Sequence, residues 1–404
     1  MTSSRALLAA WCAVVFALAH SCATSGAPAT GLSGYLIGYT EFRTNLPGGR
    51  QPNIATMRAC VVRADGKSRR MLAEELVADE NSWTQFAGWS PDGRYAIIGS
   101  GWESPENAAW EEEHKTFRMT EGWRYDTSLL ELRTGRLENL TAIERVSDYN
   151  TGLFFFPDDP NKLGFQALIE GVSHPFTMDR DGRNKRDISS DNDGFTYGYS
   201  ASPDGSRVAY HKDYQIYIAN ADGSQPLHIE TGQPFNFVPQ WSPDGAWLLF
   251  VSGEHYDCHP TIVRPDGSGL RTIAKRGGYS GVTAFLDVED FHGGSSDVPV
   301  WSKDGKWVYY TCQVEDRVEL MRVSLEGTTE TLTQSPPGKT NYHPTPSPDG
   351  KWLAFGSNRT GTRQLYAMPA EGGEAQPITS VAPGCGAMWP YWRPGTQTPS
   401  DGVR

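Results

Sequence analysis

The stretch WSPDG at 241–245 decides the fold, because the chain repeats it at regular intervals. Copies recur roughly every 40 to 66 residues, and self-similarity at about 40–45 residues is typical of a β-propeller blade. SPDG stands at 90–93, 202–205 and 347–350, SKDG at 302–305, and diverged copies FPDD at 156–159 and RPG at 393–395.

Each copy is expected to make a tight turn between two strands, since proline presets its own φ and glycine accepts a positive φ. Short apolar runs rich in β-branched and aromatic residues follow, such as AWLLFVS at 246–252 and KWVYYTC at 306–312. A third run, a second turn and a fourth run complete the unit. The repeat therefore predicts four antiparallel strands, here named A to D from the inside of the blade outward.

The first repeat, beginning with GYLIGYTEF at 34–42, has no strand A of its own, and AMWPYWRPG at 387–395 can supply it. We therefore predict an all-β fold: one seven-bladed β-propeller over residues 33–395. Its ring would close by pairing the C-terminal strand with the N-terminal blade, which removes exposed sheet edges. Residues 396–404 are expected to form a disordered tail.

The N-terminal residues 1–29 have the pattern of a secretory signal, with Arg5 before a 13-residue apolar run from Ala6 to Leu18. Cleavage after Ala29 is one interpretation, and lipidation at Cys22 is the other. Both predict export to the periplasm or the cell surface. No later run is apolar and long enough to cross a membrane.

The amino-acid composition limits the kinds of molecule that this protein is expected to bind. The net charge is −12 and no basic stripe stands out, which argues against nucleic acid, and we expect a monomer. Four cysteines follow the signal, and they can pair in an oxidising compartment or stay as buried thiols. Cys60 and Cys385 fall in the same closing blade, so a disulfide between them is conceivable.

Topology places the B–C and D–A loops on one face of the ring, and most of the histidines fall there. Loops on a rigid scaffold often carry function, so this face is the predicted functional one. One B–C loop, Trp102–Asp126, is longer than the others. WEEEHK and RMTEGWRYD within it predict a short helix and a return strand that form a wall of the site.

The most concentrated set of candidate ligands comes from EHYDCH at 254–259, DFHGGSSD at 290–297 and NYHP at 341–344. Mixed imidazole and carboxylate ligands suit Mn²⁺ or Zn²⁺. The alternative is that these histidines hydrogen-bond loop backbone or bind a ligand without a metal. The predicted metal ligands are His259, His292, His343 and Asp297.

The repeated WSPDG units resemble the propeller of TolB and its relatives over most of residues 34–395. A second resemblance, carried by GEHYDCHPTIVRPDGSGLR at 253–271 and by the His-Pro before the SPDG turn at 347–350, is to oligogalacturonate lyases. Those are seven-bladed propellers with a manganese site and the signature Gln-x-x-His-Pro-His-Pro-Ser. Here His343 matches, whereas Thr340 and Thr345 replace the Gln and the second His.

The lyase resemblance implies β-elimination on a uronate-containing glycan, in which a base removes the proton next to a carboxylate that a cation neutralises. The expected site residues are His211, His255 and Arg363 for catalysis, and Lys212, Tyr197, Tyr342 and Arg359 for substrate binding. The rival hypothesis is a non-catalytic periplasmic propeller, TolB-like, that binds a protein or a glycan. A peptidase is disfavoured because no GxSxG motif is present.

Overall fold

The structure, a computed structural model, describes residues 31–118, 121–189, 196–254, 257–279 and 297–395. The predicted signal at 1–29 and the tail at 396–404 lie outside these ranges. Strands predominate among the regular elements of the described chain, as predicted, and they are accompanied by helices α1 (Arg50–Ile54) and α2 (Pro105–His114) and two short 3-10 turns, Leu32–Gly34 and Glu74–Leu76.

Five of the sheets have four antiparallel strands each, and the strands are numbered β1 to β28 along the chain. The first sheet has the order β28-β1-β2-β3, and the other four contain consecutive strands. Their bounds are β1 (Leu36–Arg43), β2 (Arg58–Arg63), β3 (Arg70–Met71) and β28 (Cys385–Trp392); β12 (Thr196–Ala201), β13 (Arg207–Lys212), β14 (Gln215–Asn220) and β15 (Leu227–Ile229); β16 (Phe235–Trp241), β17 (Leu248–Glu254), β18 (Asp257–Val263) and β19 (Arg271–Thr272); β20 (Val300–Trp301), β21 (Trp307–Val314), β22 (Arg317–Ser324) and β23 (Thr329–Thr331); β24 (Asn341–Pro346), β25 (Trp352–Ser357), β26 (Gln364–Pro369) and β27 (Gln376–Pro377).

The remaining sheet has eight strands. They are β4 (Ser82–Trp89), β5 (Tyr95–Glu103), β6 (Trp123–Glu131), β7 (Leu137–Asn139), β8 (Tyr149–Phe155), β9 (Lys162–Ile169), β10 (Val172–Asp179) and β11 (Arg186–Asp187). A single parallel pair, Tyr125 with Tyr149, joins β6 to β8. The same kind of parallel bridge links neighbouring sheets at Val318 with Thr340 and at Arg363 with Gly386. The eight strands are therefore two four-stranded units joined by a junction that recurs in the fold.

The SPDG turn is closed by its own side chains. In the copy at 242–245, the Ser242 hydroxyl donates to Asp244 Oδ1 at 2.6 Å and accepts from the Trp247 N–H at 2.9 Å. Asp244 Oδ1 also accepts from the Ala246 N–H at 3.0 Å, and Gly245 has φ 70°. The serine and the aspartate thus close the turn by hydrogen bonds, and the glycine adopts the positive φ that the turn needs. These roles explain why the motif recurs between strands A and B.

Apolar clusters lie between consecutive sheets. One cluster contains Ile37 and Trp392 of the first sheet together with Ala367 of the last sheet. Because each sheet buries side chains on both faces, the strands read as nearly continuous apolar runs. The last sheet therefore packs on the first, in addition to the pairing of β28 with β1 along Ile37–Arg43.

The four cysteines of the described chain are free thiols. Cys60 pairs with Tyr39 across one edge of β1, and Cys385 pairs with Arg43 across the other edge. The conceivable disulfide between them is therefore wrong, because β1 lies between the two strands that carry them. No helix of the described ranges has the length and apolar character that a membrane crossing requires.

Candidate functional site

Six inner strands of the described chain are irregular just before their SPDG turn or its diverged copy. The register shifts there, and the residue four positions before the serine position has a positive φ in five inner strands: Gly152, Gly198, Val238, His343 and Trp389. A bulge of this kind leaves an N–H outside the strand ladder. In three of the bulges a side chain accepts that N–H, and predicted site residues serve as these acceptors.

His343 and Asp297, two predicted metal ligands, are brought together by these bulges. The His343 N–H donates to Asp297 Oδ1 at 3.1 Å, and Tyr279 donates its hydroxyl to Asp297 Oδ2 at 2.9 Å. His343 Nδ1 in turn accepts from the Trp389 N–H at 3.4 Å. A chain of hydrogen bonds thus joins three neighbouring sheets.

Arg276 completes the surroundings of Asp297. Its guanidinium is 2% exposed, donates to the Asp297 carbonyl at 3.1 Å and to the Thr311 carbonyl at 3.0 Å, and lies over the Tyr279 ring at 4.6 Å. Burial is the main cause that raises the Tyr279 pKa well above its usual value, and the Asp297 charge adds to it. A buried, fully bonded carboxylate of this kind fixes loops in place.

The described part of the predicted ligand set does not fit a metal. His343 Nδ1 accepts the Trp389 N–H, so this nitrogen is engaged by the backbone of a neighbouring sheet. His259 Nε2 lies 3.6 Å from Asp257 Oδ1 on β18, in another sheet. Within the described ranges no three histidine, cysteine, aspartate or glutamate side chains form a metal-binding group. His255 and His292 lie outside the described residues.

His211, a predicted catalytic base, is buried among aromatic rings of two sheets. It is 1% exposed, its ring centroid lies 4.4 Å from that of Phe237, and its Nδ1 accepts from the Val238 N–H at 3.4 Å. Burial lowers its pKa to about 3. The ring is therefore neutral at ordinary pH and a very weak base. In the structure it stabilises the bulge at Val238 by accepting the N–H of that residue.

The predicted substrate-binding and cationic residues differ in access. Tyr342 is fully buried, and its hydroxyl donates to the Ala387 carbonyl at 2.9 Å. Arg359 donates to Asn341 Oδ1 at 3.1 Å and lies over the Tyr366 ring at 4.6 Å. Arg363 is 6% exposed at the junction with Gly386. Lys212 and Tyr197 are half-buried at the loop face.

A set of aromatic side chains on the inner strands and on β6, which we call the aromatic belt, was anticipated only through Tyr197, since the grouping of its other members was not predicted from the sequence. Tyr125 and Tyr149 have ring centroids 5.8 Å apart, and Tyr197 stacks on Phe237 at 5.6 Å. Burial first, and then the neighbouring tyrosines, raise the pKa of Tyr125 above its usual value and that of Tyr391 to about 12. The belt consists of Trp83, Trp123, Tyr125, Tyr149, Tyr197, Phe235, Phe237, Trp389 and Tyr391.

Part of the signal for this belt was in the sequence, as aromatic residues two to seven positions before five of the SPDG copies and their diverged forms. The periodicity of the repeat does identify these segments as inner strands. It does not say to which side of the sheet each residue of an inner strand points, because the bulge shifts the alternation by one position. Only the register of the paired strands resolves this.

A buried ionic cluster, here the Arg50 clasp, lies beside the belt. Arg50 Nη2 contacts Glu103 Oε2 and Glu111 Oε2, each at 2.8 Å, and both carboxylates are fully buried. Trp123 donates its indole N–H to Glu111 Oε1 at 2.9 Å. The clasp joins α1 to α2 and β5, so the helix and return strand predicted within 102–126 are present and fixed to the neighbouring blade.

Sequence comparison with curated proteins shows which proteins the chain resembles. No family model matches the chain. The chain is 28% identical over 187 residues to an uncharacterised protein of Agrobacterium fabrum, covering 45% of this chain and 58% of that protein. It is 30% identical over 176 residues to the Tol-Pal system protein TolB of Bordetella pertussis, covering 42% of this chain and 36% of that protein. The matches thus span less than two thirds of these relatives.

Comparison with solved structures concerns the fold alone. An oligogalacturonate lyase in complex with manganese has a TM-score of 0.54 at 13% identity, covering 81% of this chain and 84% of that chain. A prolyl endopeptidase has a TM-score of 0.55 at 10% identity, covering 89% and 50%. The chain therefore has a TolB-like propeller fold, with sequence similarity to TolB and a likeness of fold to the lyase.

Proposed function

We propose that this protein is an exported, seven-bladed, ring-closed propeller whose aromatic belt binds a glycan. The count of seven takes the eight-stranded sheet as two blades. The recurrent parallel bridge supports this count. The apolar cluster that joins the last sheet to the first supports ring closure. The observation that carries the binding function is the aromatic belt itself.

Aromatic rings and phenolic hydroxyls suit a sugar. The apolar face of a pyranose stacks on an aromatic ring, while the hydroxyls of the sugar need hydrogen-bond partners. Tyrosine hydroxyls are protonated at ordinary pH and can donate hydrogen bonds, and burial raises the pKa of Tyr125, Tyr149 and Tyr391 further. The belt therefore combines stacking surfaces with neutral donors.

Isothermal titration with soluble oligosaccharides, galacturonate oligomers and neutral β-glucan oligomers among them, tests this proposal. Tyr197→Ala should weaken binding by about tenfold, since it removes a stacking ring that is half-buried at the loop face. Tyr217→Ala, on the third strand of the same sheet, is the matched control. If the wild-type protein binds none of these oligosaccharides, the glycan proposal is wrong.

The metal-assisted lyase is the second candidate, and the observation that favours it is the convergence of Asp297 with His343. Since their described contacts do not fit a metal, this candidate depends on His255 and His292. Metal analysis of the purified mature protein with Mn²⁺ and Zn²⁺ tests it. Ultraviolet absorbance of an unsaturated product from oligogalacturonate is the second measurement. Absence of both bound metal and product would eliminate it.

Export is tested by fractionation. The mature protein should be found outside the cytoplasm, and its mass should correspond to cleavage after Ala29 or to lipidation at Cys22. A full-length cytoplasmic chain would contradict the proposal.

A further inference from the structure

The turn at Asp213 and Tyr214 carries a tyrosine at a position where glycine is favoured. Lys212 pairs with Gln215, so Asp213 and Tyr214 form a two-residue hairpin loop between β13 and β14. Their φ values are 47° and 60°, as in a type I′ turn. That turn favours Asn-Gly or Asp-Gly, because a side chain at the second position is strained. The aspartate fits this preference and the tyrosine does not.

The fold holds the Tyr214 ring in a defined place despite this strain. The Asn236 N–H and its side-chain amide both donate to the Tyr214 carbonyl, at 3.0 and 2.9 Å. The Tyr214 ring stacks on Phe235 with centroids 4.6 Å apart and planes inclined by 27°. Tyr214 is also 47% exposed, so a large part of its side chain faces solvent.

The place of this ring distinguishes it from other exposed apolar side chains. Of the described residues, Met71 and Leu227 are the other large hydrophobic residues with comparable exposure. Both lie on outermost strands, β3 and β15, whereas Tyr214 lies on the B–C loop face. Strained, exposed positions concentrate at binding sites when the surrounding structure enforces them.

A continuous series of rings connects Tyr214 to the aromatic belt. Phe235 and Phe237 have centroids 5.8 Å apart with planes inclined by 14°, and Phe237 and Tyr197 have centroids 5.6 Å apart with planes inclined by 22°. The charged side chains of Lys212 and Asp213 flank the ring in sequence. The exposed Tyr214 ring is therefore one member of a series of rings that extends through Phe235 and Phe237 to Tyr197.

We propose that Tyr214 is a stacking platform for one pyranose ring of the bound glycan, at the edge of the channel mouth. This inference rests on the proposed glycan-binding function. In this proposal the Tyr214 ring contributes to glycan affinity, whereas the turn itself does not require a tyrosine at this position.

The test measures binding and stability of the same variants. Tyr214→Gly relieves the strained turn and removes the ring, so its melting temperature should stay the same or rise while its Kd for the best-bound oligosaccharide weakens by about tenfold. Tyr214→Asn tolerates the left-handed backbone and should behave similarly. Tyr214→Phe should bind within about twofold of the wild type, because it keeps the ring. Leu227→Ala, an equally exposed apolar residue on an outer strand, is the control and should leave binding unchanged.

If Tyr214 is a stacking platform, the glycine and asparagine variants keep their melting temperature and bind the oligosaccharide more weakly. If Tyr214 is only a structural residue, the same variants lose stability and keep their affinity. If the glycine and asparagine variants bind as tightly as the wild type, the platform is refuted and the glycan-binding function stands. If the wild-type protein binds none of the oligosaccharides, both are refuted.

Discussion

At the residue scale, His211 makes folding stability sensitive to acid. Its pKa is about 3 in the folded protein because the ring is buried, against 6.5 for an ordinary histidine. The unfolded chain therefore binds a proton between these values and the folded protein does not. The contribution of His211 is fully present above pH 6.5 and is lost progressively as pH falls towards 3. We expect the urea midpoint to fall over this window.

His211→Asn tests this assignment, because the asparagine Oδ1 can replace Nδ1 as acceptor for the Val238 N–H and does not titrate. The variant should lose stability at neutral pH through poorer packing, yet show a flatter decline between pH 6.5 and 4. A decline as steep as that of the wild type would mean that other groups cause the acid sensitivity.

The backbone conformation and the side chain of His343 can both be tested by substitution. It has φ 49° and accepts the Trp389 N–H. His343→Ala should cost about 1–3 kcal/mol in unfolding free energy, since it leaves a buried N–H without its acceptor. His343→Gly should cost less than alanine by about 1 kcal/mol, because glycine accepts the left-handed backbone. Chemical denaturation measures both, and equal losses would contradict the argument.

At the scale of elements, the Arg50 clasp ties α1 to α2. One guanidinium contacts two buried carboxyl groups, and burial raises the pKa of Glu103 to about 7 despite the attraction of Arg50, with Glu111 adding to the rise. Removing the cation leaves both carboxylates uncompensated. Arg50→Met should therefore destabilise the protein by about 3–5 kcal/mol at pH 8.

Glu103→Gln is the informative partner variant. A raised carboxyl pKa contributes stability that is fully present below about pH 4.5 and is lost as pH rises through 7. Relative to the wild type, the glutamine variant should hence gain stability between pH 5 and 8. Thermal unfolding at both pH values checks this, and a constant difference would argue against titration of Glu103.

At the scale of the whole molecule, β28 pairs with β1 and packs among residues of the last sheet. Deletion from Cys385 onward removes the inner strand of the first sheet and exposes the edge of β1. We expect such a chain to lose cooperative unfolding throughout and to aggregate. Deletion of residues 396–404 alone is the matched control and should leave the melting temperature unchanged. Equal melting temperatures for both deletions would disprove closure by β28.

The candidate site was predictable in part. Tyr197 was expected at the loop face, and in the structure it is half-buried and stacked on Phe237. His211 and Tyr342 were expected at the same face, but they lie within β13 and β24 and their side chains are buried. Periodicity places a residue along its strand. The direction of its side chain depends on bulges and on the sheet that packs against it.

The sequence by itself determined the repeat, the four strands of each unit and the turns between them. These follow from local chemistry, because serine, aspartate and glycine close the SPDG turn within a few residues. Tertiary structure alone decided which histidines are buried, how Arg50 meets Glu103 and Glu111, and where the Tyr214 ring stands. These contacts join residues that lie far apart along the chain or in different sheets. Their burial and their hydrogen-bond partners are therefore set only when neighbouring sheets pack together.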